Sequence, residues 1–170
     1  GIADRTMIIF TSDNGGLVGP TSNAPLRSGK GYAYEGGIRV PLIIKWPGVV
    51  NPGVTSAEPV TSVDYLPTVA EVTGLSLPKG RSIDGVSLAQ HLSSQGKQSL
   101  EREAIYWHFP HYRHNPGPYS IIREGHWKLI KFYEGSMELF NLKDDLGEKK
   151  NLASTMPSKS SRTSTGDSAH

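Results

Sequence analysis

The sequence predicts an α/β fragment: the remnant of a mixed or parallel sheet, followed by a four-stranded antiparallel sheet subdomain. Three observations carry that reading. Thr6-Met7-Ile8-Ile9-Phe10 is a continuous apolar run, which suits a strand buried on both faces. Such a strand belongs to a sheet of about five or six, and its neighbours do not precede it here, so the chain reads as starting inside something larger. Far along the chain, Glu103–Phe109, Tyr119–Glu124, His126–Tyr133 and Met137–Leu142 are short strand-like runs with turns at Glu124-Gly125 and Glu134-Gly135. Sequential hairpins of this kind build an antiparallel sheet.

Between these regions the chain is punctuated by loops. Residues 15–37 are rich in glycine and show little periodicity. A loop that long inside a compact domain usually carries function. Ile38–Trp46 reads as a second buried strand, with Pro41 placing it at an edge or a bulge. Ser62 is a candidate N-cap for a helix over Val63–Thr73, with Val63, Leu66, Val69 and Ala70 on one face and Gly74 as terminator. A short helix is expected over Ser87–Leu92. Residues 154–170 hold nine Ser or Thr among 17 and no apolar period, so they read as a disordered tail. The expected organisation is a sheet remnant over 1–75, an antiparallel subdomain over 76–153 and the tail over 154–170.

Composition narrows the function classes. The 170 residues contain 18 Lys plus Arg against 16 Asp plus Glu, a formal charge of +2. So small a surplus argues against binding nucleic acid by bulk charge. No apolar run approaches the roughly 18 residues of a membrane span, and the first residues carry no apolar signal-type core. The chain has no cysteine, which excludes disulfides, thiolate metal sites and a cysteine nucleophile within it.

Three segments carry candidate chemistry. Asp13-Asn14 follows the first strand, where functional groups of parallel sheets collect. A carboxylate beside an amide carbonyl suits a hard cation such as Ca²⁺ or Mg²⁺, although Asp-Asn-Gly-Gly also makes an ordinary turn. Lys30 stands between Gly29 and Gly31, where its ammonium can meet an anion that the backbone approaches, or simply be solvated. The segment is no P-loop, because Ala24 replaces the first required glycine and Gly31 follows the lysine. His108, His111 and His114 are spaced by three, but Pro110 and Pro116-Gly117-Pro118 oppose a helical metal clip. An aromatic, His-rich substrate-contacting loop and a plain surface loop both fit.

Taken in order, the blocks Phe10–Gly16, Pro25–Gly31, Tyr34–Pro41, Val63–Thr68, Ile83-Asp84-Gly85, Arg123–Leu129 and Glu138–Leu142 resemble the carboxyl-terminal part of the type I sulfatases (arylsulfatase-like members of the alkaline-phosphatase superfamily). The resemblance runs from about Thr6 to Leu152. It implies a sulfate-ester hydrolase and a carboxyl-terminal four-stranded antiparallel sheet packed with a helix. It implies that Asp13 and Asn14 ligate an active-site Ca²⁺ (or Mg²⁺), that Lys30 binds the sulfate group as a catalytic residue, and that Arg27 and Glu35 help to hold the loop. A sulfated small molecule or carbohydrate is the implied substrate, with His108 and His111 as candidate contacts, and the implied setting is periplasmic, secreted or lysosomal.

The family's formylglycine nucleophile comes from a Cys/Ser-x-Pro-x-Arg block that is absent here. Ser76-Leu77-Pro78-Lys79-Gly80-Arg81 has its arginine one place late, and Thr155-Met156-Pro157-Ser158-Lys159 lacks both key residues. The expectation is therefore a fragment with an incomplete metal site, inactive alone. A non-catalytic binding or interaction module, with the antiparallel sheet as its working part, is the alternative.

Overall fold

The structure is a computed structural model and describes residues 1–114 and 117–158. The expected tail from residue 159 onward lies outside the described residues. Just before it, the Thr155 and Met156 N–H groups turn back to donate to Leu152 O. Two compact units interleave in sequence: residues 1–10 with 43–102, and residues 11–42 with 103–158 among those described. Strand β1 (Ile8–Thr11) pairs with β2 (Leu42–Lys45), and β3 (Ile105–Phe109), β4 (Tyr119–Glu124), β5 (Trp127–Phe132) and β6 (Met137–Asn141) form a second sheet. The helices are α1 (Glu35–Ile38), α2 (Tyr65–Thr73) and α3 (Ala89–Ser93). Among the described residues no helix is long and apolar enough to cross a membrane.

In the first unit the polar groups decide which apolar groups go inside. Asp64 is fully buried, and Arg102 grips both its carboxylate oxygens at 3.0 and 2.8 Å. The same carboxylate accepts the N–H groups of Thr61 and Val86, closing a capping box at Thr61. The chain therefore begins this turn at Thr61, one residue before the expected Ser62, and α2 proper starts at Tyr65. Asp64 fixes the inward face, so Pro67 and Thr68, at i+3 and i+4, are buried with it. Val63, Leu66 and Val69 remain 43–53% exposed, against the expectation that they face a core; only Ala70 of that stripe is buried. Gly74 ends α2 in the left-handed region at φ 71°, as its sequence position predicts.

Strand β1 also differs from its sequence reading. Ile8 and Phe10 are 51% and 62% exposed, and Ile43 on β2 is 61% exposed. A two-stranded ribbon has too little surface to cover both its faces. The second strand is shorter than the expected 38–46, because Ile38 closes α1 instead.

The second unit holds the consecutive meander β3-β4-β5-β6, antiparallel throughout and matching all four expected strands within two residues at each end. Alternation places Tyr119, Ile121, Ile130, Phe132 and Phe140 on one face, where Ala33 and Tyr34 complete the core. Segment 32–38 is thus the cover of this sheet face, with Tyr32 and Ile38 packed at its margin.

The buried Asp64–Arg102 pair yields a direct test. Replacing Arg102 by leucine leaves a buried, uncompensated carboxylate and is expected to cost about 3–5 kcal/mol. Urea unfolding of the first unit, followed by hydrogen exchange at Leu88 and Ala70, reads this; a loss below about 0.5 kcal/mol, the size of a neutral surface change, refutes it.

Candidate functional site

The three segments that follow β1, precede α1 and form α1 are knitted together through their backbones. Gly15 N–H donates to Gly37 O at 2.9 Å, Lys30 N–H to Gly16 O at 3.0 Å, and Gly36 N–H to Arg27 O at 2.9 Å. Asn23 clasps the same cluster: its Oδ1 accepts Gly16 N–H, while its Nδ2 donates to Gly16 O and Ser28 O. Ser12 Oγ donates to Asn14 O at 2.9 Å. These contacts need bare backbone. A Cβ on Gly15 would lie 1.7 Å from Gly36 O, and one on Gly36 would lie 2.4 Å from the carbonyl oxygens of both Arg27 and Ser28. The glycine-rich stretch is therefore a packed knot rather than a slack loop.

The residues expected to carry chemistry emerge from this knot. Asp13 and Lys30 are exposed and Asn14 is half-buried. The backbone of Lys30 is tied to Gly16, two residues beyond Asn14. Among the described residues, no group of three or more His, Cys, Asp or Glu side chains could hold a metal ion. Asp13 and Asn14 thus bring two hard oxygen donors, and a Ca²⁺ ion takes about 6–8.

The histidines separate. His108 lies on the exposed side of β3, with Nδ1 at 3.1 Å from both Ser120 Oγ and Tyr133 OH. His111 meets the Phe109 ring edge-on, at 4.9 Å between centroids. His114 stacks flat on Tyr32 at 4.1 Å, and its Nε2 is buried without a hydrogen-bond partner among the described residues. His111 and His114 line a shallow cleft with Gly31, Tyr32, Phe109 and Tyr119. Of the three, His114 is the one that touches the segment next to Lys30, and its flanking prolines rightly excluded a helix.

Beneath the knot sits a charge cluster in which Arg27 and Glu35, expected to help hold the loop, meet Lys128 and Glu148, which the sequence reading did not single out. Lys128 on β5 is fully buried, and its Nζ donates to Glu35 Oε1 at 3.0 Å and to Glu148 Oε1 at 2.7 Å. Glu148 Oε2 accepts Glu35 N–H at 2.6 Å, and Glu148 O accepts from Arg27 Nη1 at 3.0 Å. Arg39 and Arg123 approach the other Glu35 oxygen at 3.6 and 3.9 Å. The Arg27 guanidinium lies 3.6 Å over the Tyr34 ring. Burial pushes the Tyr34 phenol up to about 12, with the Glu138 carboxylate adding to the rise and Arg27 opposing it. Burial also raises Glu148 above its ordinary 4.5, although Lys128 pulls the other way. It lowers Arg123, with Glu35 opposing. The sign of Lys128 was readable: it shares the strand alternation with Ile130 and Phe132, so a charge stands on the apolar face.

Comparison with known proteins identifies the family. The family described as N-sulphoglucosamine sulphohydrolase, C-terminal, matches residues 28–164. The chain belongs to that sulfatase family. A sulfatase of Formosa agariphila is 46% identical over 168 residues, covering 93% of this chain, which spans 30% of that relative's length. Among solved structures, Ps i-CgsB in complex with a k-i-k-neocarrahexaose superposes with a TM-score of 0.84 at 30% identity, over 96% of this chain and 36% of that one. BT4656, in complex with its substrate D-glucosamine-2-N,6-O-disulfate, superposes at 0.79 and 29% identity, over 97% of this chain and 34% of that one. The chain is therefore a sulfatase carboxyl-terminal part with the α/β fragment architecture expected of it.

Two outcomes follow for the knot and its support. Gly36→Ala is expected to destabilise the second unit by about 1–3 kcal/mol, since a side chain there must displace two carbonyls; an unchanged urea midpoint refutes the tight packing. For Glu148 the folded state keeps a proton that the unfolded chain has released. That contribution is full below 4.5 and is lost as pH rises through the folded value. With Lys128, Glu35 and Arg27 as its neighbours, the stability of the native chain relative to Glu148→Gln is expected to fall as pH rises above 4.5. A pH-independent difference in urea titrations refutes it.

Proposed function

We propose that this chain contributes the cation-binding and sulfate-binding residues of a sulfate-ester hydrolase acting on a sulfated sugar. Asp13 and Asn14 would hold a Ca²⁺ or Mg²⁺ ion jointly with ligands supplied from outside this chain, and Lys30 would bind the sulfate group. The cation, when bound, neutralises charge on the ester's oxygens. Lys30 adds a compact, mobile positive charge, suited to the same anion. The observation that supports the reading most directly is the Lys30 N–H to Gly16 O hydrogen bond, which ties the lysine's backbone beside the Asp13-Asn14 turn.

The sulfated-sugar reading draws on BT4656, whose own substrate is a glucosamine disulfate. His111 and His108 are the proposed substrate contacts. His111 lines the cleft that begins at Gly31, whereas His108 already shares its Nδ1 with a serine and a tyrosine hydroxyl, so His111 has the more direct role. The chain has no cysteine and no Ser-x-Pro-x-Arg block, so the isolated chain is read as inactive.

The purified chain is expected to release no phenol from a chromogenic aryl sulfate. Ca²⁺ should bind with a dissociation constant on the order of 1 mM or weaker, given two oxygen donors. Inorganic sulfate should shift the amide signals around Lys30, and Lys30→Met should abolish that shift without altering the sheet. Turnover by this chain, or tight Ca²⁺ binding in calorimetry, overturns the incomplete-site reading. A sulfate response that survives Lys30→Met overturns the role of Lys30.

A further inference from the structure

The knot that carries Asp13, Asn14 and Lys30 contains almost no regular structure; α1 is four residues long. Something else must hold it in one arrangement. The rigid neighbour is the β4-β5-β6 sheet, and the strongest link between them is ionic. Lys128 rises from β5 on the core face, opposite Arg123 of β4 and Phe140 of β6 in register. Its ammonium is dry, and two carboxylates share it.

From Glu35 the connection to the proposed site is short. Its next neighbour Gly36 binds Arg27 O, and Gly37 O accepts Gly15 N–H. From Arg27 the chain runs three residues to Lys30, and from Gly15 it runs back one residue to Asn14. The second carboxylate, Glu148, grips both branches: its side chain takes Glu35 N–H and its carbonyl takes Arg27 Nη1. Glu148 does so at φ 51°, a left-handed backbone that a non-glycine residue adopts only when its surroundings compel it. A strained backbone, a buried lysine and a buried acid pair converge on one loop.

We infer that Lys128 is a positioning residue: by drawing Glu35 and Glu148 onto β5 it makes the sheet the frame that sets the spacing of Lys30 from Asp13 and Asn14. The inference rests on the site reading above, but its structural half can be tested separately. An apolar replacement of a whole buried ion cluster is often tolerated for stability, so a positioning role is separable from a stabilising one.

The test is hydrogen exchange on the purified chain, with sulfate affinity as the second readout. Lys128→Met should speed exchange at the Gly15, Lys30 and Gly36 amides by about tenfold or more, while β3 and β4 amides change by less than about twofold, the signature of local opening. The dissociation constant for inorganic sulfate should rise in parallel, and Lys128→Arg should recover part of both. Uniformly faster exchange, or unchanged knot amides, overturns the inference. If Lys128→Met does not fold, the variant Glu35→Gln/Lys128→Met/Glu148→Gln, which removes the unpaired carboxylates together with the lysine, takes its place, and knot amides as slow as in the native chain overturn the inference equally. If the native chain shows no sulfate response at Lys30, the sulfate reading fails while the exchange pattern still decides whether Lys128 positions the knot.

Discussion

A buried ammonium between two buried carboxylates is the constraint on which the second unit turns. Desolvating three charges costs several kcal/mol each unless their geometry is nearly ideal. Here Lys128 is held at 2.7 and 3.0 Å and a backbone N–H meets the remaining Glu148 oxygen, while Glu35 Oε2 is buried without a hydrogen-bond partner among the described residues. Glu35 has its second oxygen within reach of two guanidinium groups. Any movement of the 27–37 segment away from the sheet would expose an unpaired charge to the apolar cluster of Tyr119, Ile121, Ile130 and Phe132. The loop is therefore held by what its departure would cost more than by what its contacts yield.

The glycines impose the complementary constraint. Charge pulls the segment onto the sheet, and bare backbone lets three strands of chain approach within hydrogen-bonding distance of each other. Asn23 then serves as a side-chain imitation of a backbone pair, donating to and accepting from Gly16. Polar side chains with clear conventional partners, such as the part-buried Asn23 and the buried Glu35, lie inside this scaffold. Asp13 and Lys30 lie at its surface. That division separates residues that build the knot from residues that it displays.

What could be read from the sequence follows the range of the interactions. The four late strands and their glycine turns are local features, and they appear where alternation and turn chemistry put them. The ordered sulfatase blocks also identified the family. The start of α2 and its inward face were misjudged because a salt bridge from Arg102, 38 residues away, overrides the apolar pattern of Val63, Leu66 and Val69. Similarly, Ile8 and Phe10 are apolar enough for a core yet stand exposed in a ribbon of two strands. Glu148 was hidden in the charged run Asp144–Lys150, where a solvated face is the ordinary expectation. Lys128 did leave a trace, as a charge out of step with its strand's apolar alternation, but its partners are 93 and 20 residues distant.

Those separations also bear on the order in which the molecule can assemble. Each hairpin of the β3–β6 meander joins neighbours in sequence, so its closure is entropically cheap. The contact between Glu35 and Lys128 instead closes a loop of 93 residues and has no meaning until β5 is in place to present the lysine. The sheet has the kinetic advantage of local contacts, and the glycine knot can settle only onto a surface that already exists. In such a sequence of events the part with the proposed chemistry is the last to acquire its shape.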